Sequence, residues 1–431
     1  MNKFFKLEER GTTVSKEFIA GLTTFLSMAY IIFVNPDTLG AAGMDTGAVF
    51  TATILAAAIG TLIMGLYANF PVALAPGMGM NAFFAYTVVL VMGYSWQQAL
   101  AGIFISGILF IILSATGLRE LIINSIPTAL KHAVGTGIGF FIAFIGLQNA
   151  GIIINNDATL VSVGDFTNPN VLLTIIGLIV TLILLVRKTP AAIFIGMVIT
   201  AIVGMFLGVV NLPESVFAPI PSLKPTFGAL FEALPSIFTA DMVPVIFSFL
   251  FVDFFDTAGT LMAVGSRAGL VDDKGHLVNG DRALLADSTA TVIGSVLGTS
   301  STTSFVESLT GVEAGGRTGL TSVFTSVCFL LMLFCSGLLS VVTSAVTAPA
   351  LITVGILMAS SLGDIEWKNL ETSIPAFVTI IMMVLGYSIA EGIAAGFLLY
   401  PIMMVAARRQ KEVHPVMWFL GVIFLAHFLL G

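Results

Sequence analysis

Two stretches decide the fold: Pro71-Val72-Ala73-Leu74-Ala75-Pro76-Gly77-Met78-Gly79-Met80-Asn81, and Gly298-Thr299-Ser300-Ser301-Thr302-Thr303-Ser304-Phe305-Val306-Glu307. Each opens an apolar run, and each resists a helix at its start. Prolines forbid a helix through the first. Hydroxyl side chains compete for backbone hydrogen bonds, so the Ser/Thr run is a poor helix interior and a good cap or extended segment. Both stretches then turn helical in pattern. Half-helices that begin inside a membrane aim their positive N-terminal ends at one site. Irregular backbone at that depth persists only where it is buried in protein or lines a cavity.

The surroundings of these stretches call for lipid. Of 431 residues, 57% are hydrophobic and 10% charged, against about 25% charged in a soluble domain. So few charges cannot cover a water-soluble surface of this size. A membrane span takes about 20 apolar residues. Apolar runs bounded by charge or by Gly/Pro fall at 17–35, 46–68, 79–93, 96–116, 131–150, 169–187 and 190–210, then at 241–266, 283–298, 303–316, 318–338, 341–361, 373–387 and 389–407. Seven lie on each side of 211–240, a stretch with Pro213, Pro219, Pro221, Pro225 and Pro235 that reads as a surface linker with a short amphipathic helix. The last run, 414–430, reads as a helix lying in the membrane interface.

Charge supports this count. With a cytoplasmic N-terminus and one crossing per run, the cytoplasmic segments hold Lys3, Lys6, Arg10, Lys16, Arg119, Lys131, Arg187 and Lys188. They also hold Arg267, Lys274, Arg282, Arg317, Lys368, Arg408, Arg409 and Lys411, and only Lys224 falls outside. That is the positive-inside pattern, and a miscounted span would scatter the later charges. Two sets of seven spans have opposite orientations, the signature of an inverted repeat. Sequence likeness between the halves is faint: Ile59-Gly60-Thr61 matches Ile293-Gly294-Ser295. The expected fold is an all-α membrane protein of fourteen spans, a 7+7 inverted repeat with two broken half-helix spans, in the inner or plasma membrane.

Ionisable residues inside spans are costly and are functional candidates by default. Asp253 and Asp256 lie in the eighth run, three apart and so on one helix face. Glu307 heads the tenth run; Glu391, near the outer end of the fourteenth, reads as a structural acid. No basic residue shares these spans. An unpaired carboxylate in a low-dielectric medium holds its proton more tightly, which suits a group that carries a proton through a transport cycle. Asn81 takes the place in the first half that Glu307 takes in the second, and offers both a donor and an acceptor. Phe305, beside Glu307, suits a flat ring; Phe247, Phe249, Phe251, Phe254 and Phe255 read mainly as packing. Gly77, Gly79, Gly311, Gly315 and Gly316 permit close backbone approach.

Several classes are excluded. The net charge of −7 and the lack of a basic tract leave no nucleic-acid partner. His132, His276, His414 and His427 show no ligand spacing, so neither a metal nor a cofactor is expected. Cys328 and Cys335, i and i+7 on a helix, stand about 10 Å apart, too far for a disulfide. The N-terminal stretch has no short apolar segment ending in a small-residue cleavage site, so no cleavable signal peptide is expected. Without a P-loop or other ATP site, a gradient must drive transport. An intramembrane enzyme using Asp253 and Asp256 as a carboxylate pair is the alternative from another class.

Val252-Asp253-Phe254-Phe255-Asp256-Thr257, Thr302-Thr303-Ser304-Phe305-Val306-Glu307-Ser308 and Ala75-Pro76-Gly77-Met78-Gly79-Met80-Asn81 together resemble the nucleobase–cation symporters. The likeness is to the AzgA-like branch of hypoxanthine/guanine and adenine permeases. It extends to the opening Gly21-Leu22-Thr23-Thr24-Phe25-Leu26-Ser27-Met28-Ala29-Tyr30. The resemblance implies a core domain (1–116 and 241–338) and a gate domain (117–210 and 339–407), to which the chain's own pattern adds the linker 211–240 and a C-terminal interfacial helix, 408–431. It places binding carboxylates on Asp253 and Glu307, the half-helix asparagine on Asn81, and a second aspartate on Asp256; the residue reading adds Phe305 beside the ligand. Asp253, Glu307 and Asp256 are the implied proton-coupling groups. The uracil/xanthine branch carries Glu where this chain has Asp253, and Glu-Asn where it has Glu307-Ser308. That departure favours guanine and hypoxanthine, with adenine second. Sulfate and bicarbonate transporters share the architecture, but an anion carrier gains little from acids at its site. The expected partners are a purine nucleobase, a proton and the lipid bilayer, with a homodimer left open.

Overall fold

The computed structural model describes residues 2–116, 125–239, 241–272 and 276–430. Arg119 and Lys274, counted above among the cytoplasmic charges, lie outside the described residues. After a one-turn helix α1 (Asn2–Phe5), α2 (Val14–Met28) breaks at Ala29–Tyr30 and resumes as α3 (Ile31–Ala41). The first run therefore does not end at Asn35: α3 continues through Pro36. A proline removes one helical bond and crowds the preceding turn, and the break lies just upstream.

α4 (Thr46–Ile63) is followed by β1 (Leu74–Pro76), α5 (Met78–Ala82) with a π-helical extension over Phe83–Val91, and α6 (Trp96–Thr116). Then come α7 (Thr128–Asn149), strands β2 (Ile153–Asn156) and β3 (Leu160–Val163), α8 (Pro169–Val186) and α9 (Ala192–Phe206). The linker region contains α10 (Leu230–Ala233). The second half holds α11 (Met242–Ala268), α12 (Gly280–Leu297), β4 (Thr302–Ser304), α13 (Ser308–Glu313) and α14 (Gly319–Leu331). It ends with α15 (Ser344–Met358), α16 (Leu370–Leu385), α17 (Ile389–Ala406) and α18 (Pro415–Leu430).

Among the described residues, nine helices are long and apolar enough to cross a membrane, and four more are apolar but shorter. Two expected runs fall in neither group. The ninth is α12, which carries Asp281, Arg282 and Asp287. The tenth, expected over 303–316, is helical only over Ser308–Glu313. Its start is drawn into a strand, and Gly315, at φ 109°, ends it in a conformation other residues rarely adopt.

The all-helical expectation is corrected in two places. β2 and β3 form an antiparallel hairpin with Ile153 opposite Val163, turned by Asn156 Oδ1 accepting from the N–H groups of Ala158 and Thr159. β1 pairs antiparallel with β4 in the middle of the molecule. The helices pack in two sets. α2, α4, α6, α11, α12 and α14 contact one another, as do α7, α8, α9, α15, α16 and α17. The segment expected at the membrane interface, α18, packs along α17, where Phe424 meets Phe397 and Phe247 at 6.1 Å and 5.9 Å between ring centres.

Candidate functional site

The two deciding stretches meet each other. β1 and β4 pair with Leu74 opposite Ser304, Ala75 opposite Thr303 and Pro76 opposite Thr302. The ribbon extends at both ends: Gly77 N–H donates to the Ser301 carbonyl (2.9 Å) and Phe305 N–H to the Ala73 carbonyl (2.9 Å). Backbone kept out of a helix must find partners inside an apolar core, and here each stretch satisfies the other. Hydroxyls from neighbouring helices supply the remaining partners. Thr61 of α4 bonds both N–H and carbonyl of Leu74 (2.9 and 3.1 Å). Thr291 of α12 donates to the Thr302 carbonyl (2.9 Å). α5 and α13 leave this ribbon from its two strands.

The sequence-derived candidates gather around the ribbon, with unequal exposure. Asp253 is 1% exposed; its Oδ2 lies 2.9 Å from the Thr291 hydroxyl, and its Oδ1 is buried with no hydrogen-bond partner among the described residues. Asn81 is fully buried. Its Oδ1 accepts from Ser300 Oγ, while its Nδ2 has no partner among the described residues. Phe305 is buried too. Glu307, the N-cap of α13, is half-buried and takes the Tyr30 hydroxyl on Oε1 at 2.6 Å.

Asp256 differs from Asp253. It is exposed, yet it lies within electrostatic reach of Asp253 and Glu307. Its carboxylate thus stands on the exposed side of α11 while that of Asp253 is packed inside. The same face of α11 continues with Gly259 and Ala263, both exposed, and nothing stands within 4 Å of where a Gly259 Cβ would be. Val306, before Glu307, is 47% exposed. The shared face expected for Asp253 and Asp256 is thus divided. Residues three apart differ by about 60° around a helix, and that rotation takes Asp253 into the packing and leaves Asp256 outside it.

Two residues at the site were missed by sequence reasoning. Asp287 of α12 is fully buried and accepts from Thr257 Oγ1 (2.8 Å) and Ser304 Oγ (2.7 Å). Thr257 also lies 2.8 Å from Thr303 Oγ1, so Asp287 ties α11, α12 and β4 together. Its signal was present: it is an acid within the run 283–298. Tyr30 had no such signal, because its partner is 277 residues away. The phenylalanines of α11 mostly pack away from the acids. Phe249 meets Phe83 at 4.9 Å, Phe254 meets Phe110 at 5.4 Å, and Phe251 meets Phe247 at 4.2 Å. Glu391 lies in the first turn of α17, its N–H donating to Ser388 Oγ. Among the described residues no group of His, Cys, Asp and Glu is arranged to hold a metal ion.

Residues 15–395 match the model of the permease family (Xan_ur_permease). The chain is 56% identical to the guanine/hypoxanthine permease PbuG of Bacillus subtilis over 438 residues, covering 100% of this chain and 99% of that protein. It is 46% identical to the adenine permease AdeP of Escherichia coli K12 over 425 residues, covering 99% of this chain and 95% of that one. Among solved structures, the transmembrane domain of the cyanobacterial bicarbonate transporter BicA superposes with a TM-score of 0.66. That likeness covers 89% of this chain and 97% of that one at 15% identity, and speaks to the fold alone. A helical bundle with its irregular backbone paired at the centre, matched along its length to permeases, is a multi-pass membrane transport protein and not an enzyme, and the chain belongs to the permease family.

Proposed function

We propose that this chain takes up purine nucleobases, guanine and hypoxanthine, together with a proton. The carrying observation is the half-buried Glu307 carboxylate, with one oxygen on Tyr30 and the exposed Asp256 within electrostatic reach of it. A carboxylate accepts hydrogen bonds and donates none when ionised. It therefore suits a ligand edge bearing N–H groups, and the oxopurines carry N1–H there. Asp253 holds a second ligand edge and, with Asp256 and Glu307, handles the proton. Asn81 and Phe305 support the ribbon on which the ligand rests. Whole-length similarity to a guanine/hypoxanthine permease supports the substrate class.

The cycle moves a core (1–116 and 241–338) against a gate (117–210 and 339–407), within fourteen spans arranged as two inverted sevens, in the plasma membrane with a cytoplasmic N-terminus. Three features support it. The helices pack in two sets along this division. The two halves contribute one strand each to an antiparallel ribbon, and each strand leads into a helix. Polar bridges join the core range to the gate range: Thr347 Oγ1 donates to Asp37 (2.7 Å), Asn149 to the Tyr86 hydroxyl (2.8 Å) and Thr87 to the Tyr387 carbonyl (2.9 Å). Adenine is the second reading, favoured by the similarity to an adenine permease; it offers an exocyclic amine but no N1–H. Competition of labelled hypoxanthine uptake by a panel of nucleobases tests the proposal. Guanine and hypoxanthine should compete best. Uptake blocked only by adenine would move the assignment to adenine, and uptake blocked by none would refute the purine reading.

A further inference from the structure

Tyr30 is 1% exposed and stands at the break between α2 and α3. Tight packing of α2 on α13 brings it there. A Cβ on Gly311 would collide with Thr24 Oγ1 and the Ala20 carbonyl, and Ser27 Oγ lies 2.9 Å from Thr310 Oγ1. Ala20, Thr24 and Ser27, at i, i+4 and i+7, form one helix face. One turn further on, the Tyr30 hydroxyl reaches Glu307 Oε1 at 2.6 Å. Among the described residues this phenol is the one side-chain donor on that carboxylate.

We propose that Tyr30 is a positioning residue that sets which purine edge Glu307 accepts, an inference that rests on the purine reading above. With the phenol on Oε1, rotation of the carboxylate is fixed and Oε2 is the oxygen turned to the ligand. A single N–H, as on hypoxanthine, is met without disturbing Tyr30. Two adjacent donors, as on guanine, need both oxygens, and the second must share Oε1 with the phenol. Tyr30 therefore narrows the advantage that guanine's extra amine would otherwise give. It also orients any side chain at 307 that can accept at one atom only.

The test is calorimetric binding of guanine and hypoxanthine to the purified full chain, in the parent, Tyr30→Phe, Glu307→Gln and the double variant. Ser27→Ala serves as a control that removes a neighbouring α2–α13 contact without touching Glu307. Tyr30→Phe is expected to raise the guanine-to-hypoxanthine affinity ratio about tenfold, the scale of one hydrogen bond to a charged acceptor. The loss of hypoxanthine affinity caused by Glu307→Gln is expected to shrink when Tyr30→Phe is also present, because the amide is then free to turn its oxygen to the ligand. Ser27→Ala should leave the ratio unchanged. An unchanged ratio in Tyr30→Phe, with both purines weakened alike and the Glu307→Gln cost undiminished, overturns the role given to Tyr30. A parent protein that binds neither purine refutes the purine reading instead, and the two failures are told apart by that first measurement.

Discussion

Replacing Glu307 by Gln tests the recognition chemistry most directly. The change keeps size and removes one acceptor atom. The structure decides how the amide sits. The Tyr30 hydroxyl lies 2.6 Å from Oε1 and, as a donor, keeps the amide oxygen. Nε2 is then turned toward the ligand. Guanine presents N1–H and an exocyclic amine, so donor faces donor where an acceptor stood. A polar group left unpaired at a buried contact costs about 1–3 kcal/mol, roughly 10- to 100-fold in affinity. Hypoxanthine brings its N1–H to the same Nε2 and is expected to lose affinity as well. Calorimetry on purified Glu307→Gln with both purines measures this. If the variant binds guanine and hypoxanthine as the parent does, the carboxylate is not the recognition group and the site assignment fails. Asp253→Asn is expected to keep more of its purine binding in calorimetry than of its accumulation in an uptake assay, since its proposed task includes the proton.

Three further outcomes are expected. Cysteines placed at Lys224 and Lys411, in a chain freed of Cys328 and Cys335, should react from opposite sides of the membrane in intact cells, 224 from outside and 411 only from the cytoplasm; labelling of both from outside would break the fourteen-span topology. Uptake should rise with an inward proton gradient and collapse with a protonophore, and uptake that survives the protonophore but needs sodium would refute proton coupling. Glu17 is fully buried and accepts from Arg317 N–H, Thr318 Oγ1, and both the N–H and hydroxyl of Thr321, capping α14. Glu17→Ala strands all four donors, and a loss on the order of 3 kcal/mol should appear as a lower melting temperature in detergent; an unchanged melting temperature would show that water replaces the carboxylate at little cost.

Much was legible in the chain because lipid imposes strict rules. Long apolar runs, sparse charge and the one-sided placement of Lys and Arg follow from the cost of moving charge through hydrocarbon. Pro71, Pro76 and the Ser/Thr run 299–304 announced their breaks through local backbone chemistry alone. An acid within an apolar run is equally visible, and Asp287 could have been singled out by the rule that selected Asp253. What the chain could not disclose was partnership. β1 finds β4 more than two hundred residues away, and Tyr30 finds Glu307 at a separation of 277. A tyrosine in an apolar run looks like any packing residue until another helix is laid beside it. The unlike exposure of Asp253 and Asp256 is also a tertiary result. Helical periodicity placed them about 60° apart, but only the packing around α11 decides which of the two is buried. Local hydrogen-bonding demands and the solvent's dielectric act residue by residue and are written in sequence; which distant donor meets which acceptor depends on how the helices close together.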